Sequence, residues 1–140
     1  MSAATTRSHS PSNESAPIHA VGVGDAAYPA VLGDLPDPPD ELWWMGDWSI
    51  LQRPLVAVVG TRRATSYGLR ITREITGALA RGGACVVSGM ALGIDGAAHR
   101  AALESNGATI AVLGTGADVA YPRSHSTLHR EIIERGLVMS

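Results

Sequence analysis

Two stretches decide the fold of this 140-residue chain, namely Val56-Ala57-Val58-Val59-Gly60-Thr61-Arg62-Arg63 and Cys85-Val86-Val87-Ser88-Gly89-Met90-Ala91-Leu92-Gly93-Ile94-Asp95. In each, a short apolar run is followed by a glycine, a pattern typical of a buried strand that ends in a loop and opens a helix. Such a loop points backbone N–H groups and the positive end of a helix dipole away from the strand. Both stretches therefore predict a site for an anion, above all phosphate.

From residue 55 onward, short apolar runs alternate with amphipathic stretches. The spacing predicts strands at 55–59, 84–88, 109–113 and 137–140, and helices at 67–81, 95–105 and 124–135. In the first helix, the apolar face consists of Leu69, Ile71, Ile75, Ala78 and Leu79. Thr65 or Ser66 is expected to cap this helix, and Asp95 to cap the second.

The predicted fold class is α/β, a Rossmann-like parallel sheet with helices on both faces, of which only the first half, about four strands, is present. A Rossmann-like strand order of 3-2-1-4 would place the ligand crevice between the first and fourth strands. The fourth strand would then lie at an uncovered sheet edge, which predicts marginal stability and self-association.

Composition divides the chain into three parts. Residues 1–17, rich in Ser, Thr, Ala and Pro, predict a disordered tail. Residues 18–53 form a lead-in with prolines and three tryptophans, with a short strand expected at 41–45. Residues 54–140 form the partial Rossmann-like domain.

Several classes of protein are excluded by composition. No run of eighteen apolar residues exists, so no membrane segment is expected, and the N-terminal residues lack the apolar core of a secretory signal. The single cysteine, Cys85, lies in a predicted buried strand and is interpreted as a packing thiol. A cytoplasmic location follows as the expectation.

Charge is distributed unevenly along the chain. Residues 1–50 carry one arginine against seven carboxylates, a net charge of −6, whereas residues 51–140 carry ten arginines against six carboxylates, a net charge of +4. The basic part contains the glycine turns, which favours a polyanionic partner. Ordinary solvated faces of an arginine-rich protein are the alternative explanation.

The two glycine turns supply the candidate phosphate-binding residues. Arginine side chains match phosphate oxygens with a planar pair of donors, glycines allow the backbone to turn, and hydroxyls add further donors. The set is Gly60, Thr61, Arg62, Arg63, Ser88, Gly89 and Gly93. The alternatives are a solvated arginine loop and a strand-to-helix turn without a ligand.

The remaining polar patterns predict structure rather than chemistry. Asp95 and His99 stand four residues apart and are expected to hydrogen-bond to each other and order the loop, and neither a nucleophile nor a metal ligand set accompanies them. The spacing of His125 and His129 is interpreted as a solvent-exposed pair. Gly-rich stretches at 22–27 and 114–116 lack the context of a dinucleotide site, so no cofactor is expected.

Four motifs together resemble the DNA-processing protein A (DprA/Smf) family. They are Gly60-Thr61-Arg62, Thr65-Ser66-Tyr67-Gly68, the block from Ser88 to His99, and Tyr121-Pro122. The match begins near Tyr28 and continues to Ser140, so the chain resembles a relative truncated on its C-terminal side.

The resemblance implies a binding protein without catalytic residues that holds single-stranded DNA by its phosphates during natural transformation. It assigns DNA-backbone binding to Arg62 and organisation of the loops to Ser66, Gly68, Asp95, His99, Tyr121 and Pro122. It also implies a RecA-type recombinase as partner and a homo-oligomer. The alternatives are a nucleotide-cleaving phosphoribohydrolase, whose Pro-Gly-Gly-x-Gly-Thr-x-x-Glu motif this sequence does not contain, and a non-functional fragment.

Overall fold

The computed structural model describes residues 16–140, so most of the predicted tail lies outside the described residues. The strands are β1 (His19–Gly22), β2 (Glu41–Gly46), β3 (Leu55–Ala57), β4 (Cys85–Ser88), β5 (Thr109–Val112) and β6 (Leu137–Met139). The helices are α1 (Ala30–Gly33), α2 (Ser66–Arg81), α3 (Ile94–Glu104) and α4 (Ser126–Arg135), with 3₁₀ helices at Trp48–Gln52 and Arg123–His125. Each strand and helix predicted from the sequence is present, with bounds that differ by a few residues.

The six strands form one mixed sheet in the order β1-β2-β6-β5-β4-β3. Strands β3, β4, β5 and β6 pair in parallel with one another, whereas β2 pairs antiparallel with both β1 and β6. The lead-in thus contributes two strands, and Trp44 of β2 lies opposite Met139 of β6. The sheet is α/β and Rossmann-like, but it is wider than the four parallel strands predicted.

The predicted strand order is wrong. The fourth parallel strand, β6, lies beside the third, β5, and not beside the first, β3. Each crossover moves one position in the same direction, and right-handed crossovers of that kind place their helices on one face of the sheet. The expected crevice between the first and fourth strands is therefore absent from the described residues, and the uncovered edges are β1 and β3.

Helices cover both faces of the sheet, but unequally. One face packs on α2, α3 and α4 through Val86, Ala111 and Val138. The other face of the same strands is covered by the lead-in, through α1 and the first 3₁₀ helix. The hydrophobic cluster on this face includes Tyr28, Leu32, Trp48, Ile50, Cys85, Ile110 and Leu137. Burying both faces explains why these strands are almost wholly apolar.

Helix α2 turns a different side inward from the one predicted. Its buried residues are Thr72, Thr76, Gly77 and Ala80, while Ile75 is 54% exposed. These small residues allow α2 and α3 to pack closely against each other. Of the predicted apolar face, Ile75 and Ala78 are exposed, whereas Leu69, Ile71 and Leu79 are half-buried and Leu79 packs against the core.

Candidate functional site

The loops after the parallel strands surround one cleft of about 320 Å³ at the carboxyl ends of β4 and β5. Its walls come from the loops that follow β3, β4 and β5 and from the segment before α4. The lining residues are Arg62, Gly89, Ala91, Leu92, Leu113, Gly114, Thr115, Tyr121 and Pro122. Residues from three of the four sequence motifs, which lie up to sixty positions apart, thus meet in this cleft.

The first loop brings Arg62 to the cleft. Gly60 is required here by close approach, because a Cβ at this position would lie 2.7 Å from the side chain of Ile94 at the start of α3. The Thr61 hydroxyl accepts the N–H of Arg63 at 3.1 Å, which tightens the turn between the strand and α2. Arg62 and Arg63 are both exposed, so their guanidinium groups are free to meet an anion from solvent.

The second loop contains two residues in the left-handed backbone region, Met90 with φ 59° and Gly93 with φ 80°. Gly93 tolerates no side chain, since a Cβ would lie 2.3 Å from the Thr61 carbonyl oxygen. The Met90 carbonyl accepts a hydrogen bond of 2.8 Å from Nδ1 of buried His125. His125 therefore orders this loop, and the prediction that it is solvent-exposed is wrong.

Asp95 is the residue that joins the two loops. Its carboxylate accepts the N–H of Gly60 at 3.3 Å through Oδ1 and the N–H of Gly89 at 3.1 Å through Oδ2. Asp95 lies within the first turn of α3, whose N-cap is Gly93, so the expectation that Asp95 caps the helix is wrong. Asp95 thus bonds to both loops, but the expected partner, His99, is not the one it contacts.

Three predicted phosphate donors already have partners inside the protein. The amides of Gly60 and Gly89 bind Asp95, and the Ser88 hydroxyl, 2% exposed, donates to the Val58 carbonyl at 2.7 Å. A carboxylate at the start of α3 also satisfies the helix dipole that would attract a phosphate. Phosphate binding by Ser88, Gly89 and Gly93 stays a prediction, and the arginine side chains are the cationic groups left open to a ligand.

His99 is wholly buried between α3 and the sheet. Its Nδ1 lies 2.7 Å from the Thr109 hydroxyl, which itself donates to the Val86 carbonyl at 2.8 Å, so Nδ1 carries the hydrogen and donates. The other ring nitrogen is buried without a hydrogen-bond partner. Burial, with a smaller contribution from nearby His125, lowers the pKa of His99 to about 3, so the ring is neutral and structural.

Tyr121 and Pro122 form the side of the cleft nearest α4, and they are joined by a cis peptide bond. The ring of Tyr121 is 61% exposed. Near the start of α2, Tyr67 is 66% exposed and the Arg70 guanidinium lies 5.4 Å from its ring centre. Two open aromatic rings thus accompany the arginines at this end of the molecule.

Ser66 and Gly68 lie where α2 begins. Thr65 caps the helix, its hydroxyl accepting the Gly68 N–H at 3.1 Å, and Ser66 is the exposed first residue. These residues set the direction of the chain as it leaves the turn at residues 60–63, called here the arginine turn. The motif containing Tyr67 is therefore explained by a helix start that presents an aromatic ring.

The potential metal ligands among the described residues lie apart from one another. Within residues 16–140, no group of three or more His, Cys, Asp or Glu side chains is arranged to hold a metal ion. Burial raises the pKa of the Cys85 thiol to about 11, which suits a packing residue. No helix in the described part of the chain has the length and apolarity to cross a bilayer.

The sequence was least informative about His125 and His129, and the prediction that His129 is solvent-exposed is also wrong. His129 is buried and its Nε2 donates to the Ala117 carbonyl at 2.8 Å. Both histidines share the helical spacing with buried Leu128 and Ile132, which was the available signal that this face of α4 points inward.

Comparison with known proteins identifies the family of this chain. The family model of DNA recombination-mediator protein A matches residues 19–140. The chain belongs to that family. It is 45% identical to Protein Smf of Synechocystis over 120 residues, covering 83% of this chain and 30% of the relative. It is 41% identical to DNA processing protein DprA of Streptococcus pneumoniae over 116 residues, covering 83% of this chain and 41% of the relative.

Two solved structures share the fold. The X-ray structure of DprA from Streptococcus pneumoniae superposes with a TM-score of 0.82 at 38% identity, over 91% of this chain and 44% of that one. DprA from Helicobacter pylori, whose structure concerns that protein's single-stranded DNA binding mode, superposes with a TM-score of 0.76 at 35% identity over 88% of this chain and 54% of that one. The chain thus spans about half or less of the length of these relatives.

Proposed function

We propose that this chain binds single-stranded DNA at the cleft between the loops that follow β3, β4 and β5. The observation that carries the proposal is the position of Arg62, an exposed cation on the wall of a cleft that also contains the open ring of Tyr121. A guanidinium takes two phosphate oxygens at once, and an aromatic ring stacks on a base of any identity. The expected mode is binding without sequence preference.

The charge of the domain supports this proposal. Residues 51–140 carry the net charge of +4, and Arg62, Arg63, Arg70 and Arg73 follow one another along the loop and the start of α2. Because two loop amides bind Asp95, attraction for phosphate depends on these side chains. The single-stranded DNA binding of the Helicobacter pylori relative is consistent with the same partner here.

We further propose that the protein is a binding protein rather than an enzyme. The carboxylate of Asp95 and the imidazole of His125 are used to order loops, and His99 is neutral and buried. A cytoplasmic role in DNA uptake by natural transformation, self-association and the loading of a RecA-type recombinase are proposals drawn from membership of the family.

The test is a titration of a labelled oligothymidine by fluorescence anisotropy at several salt concentrations, comparing the unaltered chain, Arg62→Ala and Arg130→Ala. Arg62→Ala should weaken binding about tenfold or more, since it removes a charge-assisted hydrogen bond. It should also reduce the salt slope by about 0.7 for each phosphate that the protein no longer neutralises. Arg130 is exposed on α4, away from the cleft, and its replacement should change little.

Two results would contradict the proposal. Equal weakening by the Arg62 and Arg130 substitutions would indicate a diffuse charge effect without a site. Preference for duplex over single-stranded DNA, or binding that is insensitive to salt, would indicate another ligand.

A further inference from the structure

The carboxylate of Asp95 occupies the position where the start of α3 would otherwise hold an anion. Asp95 is 7% exposed, and its two oxygens take one amide each from the loops after β3 and β4. Gly89 lies so close that a Cβ there would be 2.9 Å from Oδ2. A buried carboxylate that accepts one backbone amide from each loop joins the two loops at a defined distance.

Other contacts tie the arginine turn to the same helix start. The Ile94 N–H donates to the Thr61 carbonyl at 3.2 Å. A Cβ at Gly93 would lie 2.8 Å from the Arg62 carbonyl oxygen, so the backbone of Arg62 rests directly on that glycine. The arginine turn is therefore held against α3, and Asp95 supplies the charged bonds of that junction.

We propose that Asp95 is a positioning residue for DNA binding, which acts by holding Arg62 over the cleft. This inference rests on the proposed function, because its measured effect is on single-stranded DNA. Asp95 itself touches no ligand in this role. Its carboxylate fixes the distance between the two loops, so the backbone that carries Arg62 is already in place when the guanidinium meets a phosphate.

Simple electrostatics predicts the opposite sign. Asp95 places a negative charge beside a site for a polyanion, so if charge alone mattered, removing it would tighten DNA binding. If Asp95 positions Arg62, removing the carboxylate weakens binding because the two amides are left without their partner and the loops separate. The direction of the change therefore distinguishes the two explanations.

The experiment measures oligothymidine affinity for Asp95→Asn and Asp95→Ala, alone and combined with Arg62→Ala. Asp95→Asn keeps one acceptor oxygen at the same place and should weaken binding about threefold, and Asp95→Ala about tenfold. In the Arg62→Ala background the same changes should have no further effect, because Asp95 acts through that arginine.

Asp47→Ala is the matched control. Asp47 also accepts a backbone amide, that of Ser49 at 3.0 Å, and its own N–H donates to the carbonyl of Gly136, which precedes β6 at the opposite end of the sheet. The Asp47→Ala substitution removes the same charge and a comparable hydrogen bond, and it should leave DNA affinity unchanged or slightly higher. Amide NMR signals of Gly60 and Gly89 provide a readout that does not depend on DNA, and should show reduced exchange protection in both Asp95 variants.

The outcomes separate the two proposals. If the unaltered chain does not bind, the proposed function fails. If it binds and Arg62→Ala weakens binding as expected while Asp95→Asn binds as well or more tightly, only the positioning role fails. Should Asp95→Ala not fold, Asp95→Asn and its double variant decide the matter, and additive effects with Arg62→Ala would overturn the inference.

Discussion

Acidification should destabilise this protein through His99. The ring is fully buried, Nδ1 donates to Thr109, and the second nitrogen has no partner, so a proton added there would place an unsatisfied charge inside the protein. The pKa of His99 is lowered to about 3 in the folded state, against about 6.5 in the unfolded chain. The unfolded state therefore binds the proton more tightly.

The sign and size of the effect follow from linkage. Because the unfolded state binds more protons, the stability contributed by a neutral His99 is complete above about pH 6.5 and is lost as the pH falls toward about 3. Between about pH 7.5 and about pH 5 the loss from this residue is about 2 kcal/mol. That amount is a large part of the stability of a small domain.

The free energy of unfolding, measured by urea denaturation at about pH 7.5 and about pH 5, tests this prediction. His99→Gln should be less stable than the unaltered chain at neutral pH, but its loss of stability on acidification should be smaller by about 2 kcal/mol. His19→Gln is the control, since His19 is exposed and stacks on Trp44 at a centroid distance of 4.2 Å. An equal loss of stability on acidification in His99→Gln and the unaltered chain would refute the argument.

Two further predictions concern the loops and the sheet edge. Gly93→Ala should lower the free energy of unfolding by about 3 kcal/mol or more. The new Cβ would clash with the Thr61 carbonyl oxygen, and the φ of 80° at residue 93 is unfavourable for any residue with a Cβ. Gly114→Ala, with open space around its Cβ, should cost about 0.5 kcal/mol or less, and similar costs for both would contradict this. The β3 edge should promote self-association, since Leu55 is 44% exposed on a strand whose backbone is unpaired on one side. Sedimentation velocity should show that Leu55→Lys shifts the protein toward monomer, and unchanged association would point to another surface.

The local structure could be predicted from the sequence. Apolar runs such as Cys85–Ser88 and the glycines that follow them define strands and turns through backbone rules that involve only neighbouring residues. The arginine turn and the family resemblance were available from the same short stretches. The resemblance also implied that Tyr121 and Pro122 organise the loops, although no spacing in the chain places them beside Arg62.

Tertiary structure decided the rest, because the partners of a strand or a buried polar atom are set by contacts distant in sequence. Strand β6 lies between β5 and β2 of the lead-in, and no periodicity within residues 137–140 shows this. Asp95 was recognisable as a residue at a helix start, but its bonds to Gly60 and Gly89 exist only once two loops meet. The motifs of the chain establish which groups the site contains, and the packing of β3, β4 and α3 establishes which of them remain free to bind.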